Sequence, residues 1–308
     1  MAEAYTDFAS IYDELMDATP YEEWKERIVR LIREYGTSKP HDRSGKQLAE
    51  ETDQGTDAFR AKQSAETSKE VQGTLDEEAL LASERDLVVD LGCGTGTLAE
   101  MLFQEGYDII GIDNSEAMLE KAMEKRDASG SEILYLLQDM RELSLYSTVG
   151  TVVSVCDSVN YVLEEEELLQ VFSLVNNYLF PGGVFIFDFN TDHKYREVIG
   201  DAVIAENRED CSFIWENYYD PETRINEYDL TLFLRRDGGL FERVTETHLQ
   251  RGYEPSEIQT LLEQSGLEVL LMRDADTDLA VSDVSERVYV VAREVRKEKH
   301  RGMNDRLA

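Results

Sequence analysis

The chain of 308 residues holds only three cysteines, five prolines, four histidines and two tryptophans. Cys93, Cys156 and Cys211 are far apart and odd in number, so neither a disulfide framework nor a paired-cysteine zinc site is expected. A reducing, cytoplasmic compartment suits them. His41, His193, His248 and His300 fall at no metal-ligand spacing, and no metal site is predicted. No apolar run approaches the ~20 residues needed to span a bilayer. The opening MAEAYTDFAS lacks the basic start and apolar stretch of a secretory signal, so neither membrane insertion nor secretion is expected. Basic residues are scarce too. With 31 Lys and Arg against 65 Asp and Glu, the net charge of -34 repels phosphate backbones and argues against bulk nucleic-acid binding. Nothing in the composition sets an oligomeric state.

What is present is ample apolar material, 42% of the chain, for a buried core. Within residues 5–35, Trp24, Ile28, Leu31 and Ile32 recur at helical intervals and predict one or two amphipathic helices, taken with the flanking residues as an N-terminal helical segment over 1–36. Residues 37–85 are dominated by Ser, Thr, Gln, Glu, Lys and Asp, with Phe59 as the single aromatic. Such a stretch buries too little apolar area to offset its ordering entropy and reads as a disordered or loosely helical insertion.

From residue 86 the pattern changes to short apolar runs: LVVDL (87–91), YDIIGID (107–113), EILYLLQD (132–139), TVVSVCD (151–157) and GVFIFDF (183–189). Helical stretches near 97–105, 115–127, 164–179 and 192–199 follow four of them, and LFPGG (179–183) turns the chain into the fifth. That alternation predicts βαβ units in an α/β core, a doubly wound parallel sheet, over residues 86–200. Residues 201–253 switch to period-two alternation joined by DPET and DGG turns, the pattern of an antiparallel meander inserted into the α/β rhythm. A capped helix from Pro255 to the stop at Gly266 and two strands, LEVLLMR and RVYVVARE, complete the core over 254–295, and 296–308 is a basic tail.

The first strand runs into Asp90, Gly92, Gly94 and Gly96, a loop bare enough for a ligand to lie against backbone. The dinucleotide fingerprint G-x-G-x-x-G would place its third glycine one residue later, where Thr97 stands. That spacing argues against a pyrophosphate ligand.

The stretch VVDLGCGTGTLAE resembles the first motif of class I S-adenosylmethionine-dependent methyltransferases, closely over residues 86–190 and more loosely over 255–295. The resemblance implies a Rossmann-like seven-stranded sheet and S-adenosylmethionine as cofactor, converted to S-adenosylhomocysteine. It places Asp90 at the methionine portion, the backbone of Gly92, Cys93, Gly94 and Gly96 along the rest of the cofactor, and Asp113 of IIGIDNSEAML on the ribose hydroxyls with Asn114 beside it. Met118 then packs on adenine, Asp139 sits near the adenine amino group next to Met140, and Cys156 marks where cofactor meets acceptor. The segment YTDFASIYDELM resembles the lid of small-molecule methyltransferases, which makes 1–36 an N-terminal helical lid and offers Tyr12, or Tyr5 in reserve, to the methionine end. YDELMD, CDSVNY and FDFNT together resemble a bacterial methyltransferase group with a β-insert before the last helix.

Each residue also has a plain reading: Asp113 as a helix N-terminal acid, Met118 as core, Asp139 as a turn cap, Cys93 and Cys156 as small buried hydrophobes. On the acceptor side, Asp157, Asn160 and Tyr161 follow the fourth strand at the carboxyl edge where α/β sheets bind ligands. They are the candidate catalytic residues, with Asp157 as an orienting group, a base or a turn former, and Asn190 behind them. Trp215, Tyr218, Tyr219 and Tyr228 of the meander are candidates for the acceptor pocket. The expected function is methyl transfer to a small molecule. An NAD-dependent oxidoreductase and a non-catalytic S-adenosylmethionine-binding interaction module are the alternatives.

Overall fold

The computed structural model describes residues 8–41 and 78–297. Tyr5, residues 42–77 of the expected insertion and residues 298–308 of the tail lie outside the described residues.

A short 3-10 turn (Phe8–Ser10) leads into α1 (Tyr12–Leu15) and α2 (Tyr21–Tyr35), and residues 78–86 form a further helical stretch, α3. The βα units follow as β1 (Val88–Leu91), α4 (Thr97–Gln104), β2 (Ile109–Asp113), α5 (Glu116–Ser129), β3 (Leu134–Leu137), β4 (Val149–Ser154), α6 (Glu165–Tyr178) and β5 (Leu179–Asn190). The expected turn at LFPGG is a bulge inside β5: Leu179 pairs with Val149 and the next pair is Val184 with Thr151. The stretch expected as a helix over 192–199 closes into a π-helical turn at Lys194–Ile199.

A four-stranded antiparallel meander comes next: β6 (Val203–Asn207), β7 (Cys211–Asp220), β8 (Ile225–Arg235) and β9 (Phe241–Arg251). The outermost strand, β6, has no counterpart in the sequence reading. All five of its residues are exposed, so no face of it is driven to be apolar and no period appears. Then α7 (Pro255–Ser265) opens on a capping box between Glu254 and Glu257 and stops at left-handed Gly266, and β10 (Leu267–Asp274) and β11 (Arg287–Glu294) end the fold.

The large sheet has seven strands in the order β10-β11-β5-β4-β1-β2-β3, with β11 alone running against its neighbours. Period-two alternation sorts its side chains onto two faces. Val88, Val153, Val184 and Ile186 meet α2 and α4 on one side. Val89, Leu91, Val152, Phe185, Phe187 and Phe189 meet α6 and α7 on the other. Phe172 of α6 packs on Phe185 and Phe187, whose rings stack at 4.5 Å. The segment expected as one N-terminal lid therefore divides: α2 buries Ile28, Val29, Leu31 and Ile32 as a core helix, and residues 8–19 form a separate strap.

Candidate active site

The cleft opens where the strand order reverses beside β1, at the carboxyl ends of β1, β2 and β4, the place where open α/β sheets bind ligands. It encloses about 240 Å3. After β1 the chain turns through Gly92, Gly94 and Gly96, all at positive φ (79°, 53° and 75°). The three glycines have different neighbours. A Cβ at Gly92 would lie 2.6 Å from Ser158 Oγ and one at Gly96 would run into the Tyr135 hydroxyl, whereas Gly94 has nothing within 4 Å of that position. Gly92 and Gly94 line the cleft. Gly96 packs behind it, as the N-cap of α4.

Asp113 ends β2 and spans the loop: Gly94 N–H donates to its Oδ2 at 2.8 Å and Ser115 N–H to its Oδ1 at 2.9 Å. Burial raises its carboxyl above the usual range, against the pull of those backbone donors. With backbone donors from Gly94, Asn114 and Ser115 on it, the carboxylate still keeps lone-pair capacity toward the cleft. Asn114 and Met118 line the same wall; Met118 is held at the start of α5, where its N–H donates to the N-cap Ser115 Oγ. On the next loop Asp139 and Met140 also face the cleft. Arg141 donates to Asp139 through Nη2 (2.6 Å), Nε and the backbone N–H, and this holds the Asp139 carboxyl below its ordinary value. Arg141 and Gln138 line the cleft as well, and the sequence reading had not singled them out.

Asp90 is the most exceptional group in the cleft. It is 2% exposed, its Oδ2 has no hydrogen-bond partner, and burial beside the Asp113 charge pushes its pKa from 3.8 up to about 7. An unpaired buried carboxylate is costly unless a cation arrives. Below pH 7 a proton competes with that cation. A ligand carrying an ammonium, S-adenosylhomocysteine for one, is therefore expected to bind about tenfold more weakly at pH 6 than at pH 8, as calorimetric titration would read, with Asp90→Asn abolishing the dependence. A protein with equal affinity at both pH values would refute this. The same carboxylate subtracts from the stability of the ligand-free fold as pH rises from about 4 to about 7, because the folded state there holds a proton that the unfolded chain has released.

Across the cleft stand Tyr12, Tyr21, Cys156 and Tyr161. The Tyr12 hydroxyl and Cys156 Sγ lie 3.9 Å apart. Burial pushes the Cys156 thiol up to about 12 and also raises Cys93, so both are protonated, inert fillers near neutral pH. Tyr21 was not anticipated; it reaches the cleft from the first turn of α2. The strap is fastened over the glycine loop by Asp13, which accepts from Thr95 Oγ1 at 2.6 Å and pairs with Lys125 at 2.7 Å. It reaches the meander through Phe8 N–H, which donates to Glu246 Oε1 at 3.0 Å, and through the Arg208–Asp17 pair.

Asp157 and Asn160 are placed differently from Tyr161: neither lines the cleft. Both Asp157 carboxylate oxygens are engaged, Oδ1 by Arg287 Nη2 at 2.6 Å and Oδ2 by Gln250 Nε2 at 2.7 Å. Asn160 is wholly buried; its amide donates to the carbonyls of Asn190 (2.8 Å) and Arg251 (2.7 Å), and its oxygen accepts from Asn190 N–H. Asn190 is likewise committed, to Tyr195 and Lys194. These residues tie the end of β5 to the meander. Of the meander aromatics, Tyr218 is 63% exposed on the outer face, whereas Trp215, Tyr219 and Tyr228 turn inward. The inner face of β9 also carries Glu246, His248 and Gln250, all buried. Their spacing of two was visible in the sequence as a signal, but no residue there marked which face met the core.

These features belong to a class I S-adenosylmethionine-dependent methyltransferase, and the chain is a member of that family. Residues 88–183 match the family model described as a methyltransferase domain. A Geobacillus sp. (strain WCH70) protein named "Putative methyltransferase GWCH70_2453" is 32% identical over 289 residues, 94% of this chain and 99% of its own. The crystal structure of an S-adenosylmethionine-dependent methyltransferase from Clostridium acetobutylicum ATCC 824 shares the fold, with a TM-score of 0.71 at 24% identity, covering 95% of this chain and 100% of that one. Over a shorter reach, 106 residues, 34% of this chain and 43% of the other, the chain is 34% identical to the dTDP-3-amino-3,4,6-trideoxy-alpha-D-glucopyranose N,N-dimethyltransferase of Streptomyces venezuelae. The cofactor is S-adenosylmethionine, and neither alternative, the NAD-linked enzyme or the interaction module, has support. No helix among the described residues is long and apolar enough to cross a membrane, and no group of three or more His, Cys, Asp or Glu there could hold a metal.

Proposed function

We propose that the protein methylates a small-molecule acceptor held in the cleft beneath the strap, on its Tyr161 side. The carrying observation is the unpartnered, buried Asp90 Oδ2 beside the glycine loop, one strand away from an Asp113 with lone pairs to spare. The cofactor's methionine ammonium suits Asp90 and its ribose diol suits Asp113, while Met118 and Met140 offer apolar contact to the base and Asp139 and Asn114 lie along its edge. When bound, S-adenosylmethionine supplies a methyl carbon activated by positive sulfur. The chain's own residues then need only align the acceptor and exclude water. Tyr12 of the strap and Tyr21 at the start of α2 form a wall against solvent. Tyr161 is the acceptor-side residue that lines the cleft. Asp157 acts at one remove, fixing the end of β4 through Arg287 and Gln250.

A small acceptor is favoured by the strap, which leaves an enclosed cleft in place of an open groove, and by the likeness to an amino-sugar methyltransferase. All three cysteines are free, which fits a cytoplasmic setting. Purified protein incubated with methyl-labelled S-adenosylmethionine and a protein-free metabolite extract is expected to yield one labelled small product by mass spectrometry. Label confined to added protein or RNA, or no label at all, would overturn the proposal.

A further inference from the structure

The strap, the turn after β4 and strand β9 bring together three polar side chains behind the cleft wall. Tyr161 lines the cleft, and its hydroxyl lies 3.3 Å from His248 Nδ1. The opposite ring nitrogen, Nε2, lies 3.4 Å from Glu246 Oε2. His248 and Glu246 are each 4% exposed. The remaining Glu246 oxygen accepts the Phe8 N–H of the strap, and the Phe8 and Tyr161 rings meet the imidazole edge-on, each at 6.1 Å between centroids. Tyr228 stands directly opposite His248 on β8. The imidazole is thus clamped by its neighbours, with one nitrogen toward a carboxylate and the other toward a phenol on the cleft.

Resting on the methyltransferase reading, we infer that Tyr161, His248 and Glu246 form a proton relay that takes the proton released by the methyl acceptor. The acceptor class is therefore one that must lose a proton, a hydroxyl or a protonated amine. The Glu246 charge, 3.4 Å from Nε2, favours hydrogen on that nitrogen electrostatically, which leaves the Nδ1 lone pair for the Tyr161 hydroxyl. In the transfer step the acceptor heteroatom forms its bond to the methyl carbon, and the bond to sulfur breaks with its electron pair left on sulfur. The acceptor's proton passes to the Tyr161 oxygen as the tyrosine's own proton passes to His248 Nδ1. The resulting imidazolium is held by the Glu246 carboxylate, so the proton taken from the acceptor neutralises the single negative charge of the buried trio. Tyr161 is the catalytic residue, and His248 and Glu246 are positioning residues. Because Phe8 supplies one of the donors to Glu246, the relay is complete only with the strap seated.

Two measurements test it. Histidine-15N spectra of the full chain at pH 8, with His248 assigned by His248→Gln, are expected to show a neutral imidazole protonated at Nε2. Tyr161→Phe should move only the Nδ1 resonance to its unbonded position. A doubly protonated His248, or an Nδ1 signal indifferent to Tyr161→Phe, overturns the relay without any acceptor being needed. With the labelled-extract assay, Tyr161→Phe and His248→Gln should each lose on the order of a hundredfold or more in rate while S-adenosylhomocysteine affinity stays within about twofold. The double variant should be no slower than the worse single, as members of one unit behave. Rates within threefold of the parent would sink the inference. If the parent protein itself labels nothing, the methyltransferase reading fails separately, and the spectra still decide the hydrogen-bond arrangement.

Discussion

Asp113→Ala is expected to weaken S-adenosylhomocysteine binding by a factor of a hundred or more, to the point of loss in an ordinary titration. In the proposed reading the carboxylate accepts ribose hydroxyls, and hydrogen bonds to a charged group are worth ~1.5–3 kcal/mol each. It also does a second job. Gly94 N–H and Ser115 N–H both end on it, so its removal leaves two backbone donors without their acceptor and loosens the glycine loop itself. Asp113→Asn separates the two effects: it retains one oxygen for Gly94 or Ser115 and loses charge, so the loop survives while affinity falls by a smaller factor, about tenfold. The readout is calorimetry at pH 8, where Asp90 is ionised, with a thermal melt as the control for folding. Binding of Asp113→Ala within threefold of the parent would contradict the placement of the ribose.

Arg287→Ala is expected to give the largest loss of stability, about 3–5 kcal/mol, which for a fold of this size lowers Tm by roughly 10 °C. Arg287 reaches Asp157 at 2.6 Å and Asp188 at 2.9 Å, and Asp188 in turn accepts the Asp157 N–H at 2.8 Å. The guanidinium stands 5.8 Å over the Trp24 ring of α2. The two carboxylates raise its pKa well above the ordinary arginine value, although burial alone would lower it. Truncation leaves two enclosed carboxylates facing each other. Arg287→Lys preserves the charge but cannot fork to both carboxylates, and an intermediate loss is expected. Urea melts check the magnitude. An Arg287→Ala protein as stable as the parent would mean that the network contributes nothing.

The cofactor half of the site was legible because its parts are neighbours in the chain. Gly92, Gly94, Gly96 and Asp113 fall within two consecutive βα units, and the rule that parallel strands are joined by right-handed crossovers places them side by side. A strand, a glycine turn and the next strand's terminal acid form a local arrangement that no distant packing needs to complete. The same held for Met118, Asp139 and Met140, one loop further along the same sheet edge. The acceptor half lacks that property. Asp157 and Asn160 look like free polar groups at a sheet edge until Arg287, Gln250 and Asn190, 30 to 130 residues away, engage them. Tyr21 belongs to an amphipathic helix whose end, not whose face, meets the cleft.

The amino-acid order by itself determined the α/β rhythm, the inserted meander and a glycine-loop cleft at the end of the first two strands, because each follows from periodicity and short-range geometry. Only the tertiary structure decided which face of the meander turns inward, that α2 is a core helix and not a lid, and that His248 stands between Tyr161 and Glu246. Those outcomes depend on how a β-insert docks across a strap 191 to 238 residues distant in sequence at their polar contacts. Docking is governed by which surfaces can be buried together with their polar groups satisfied, a condition that no single segment carries.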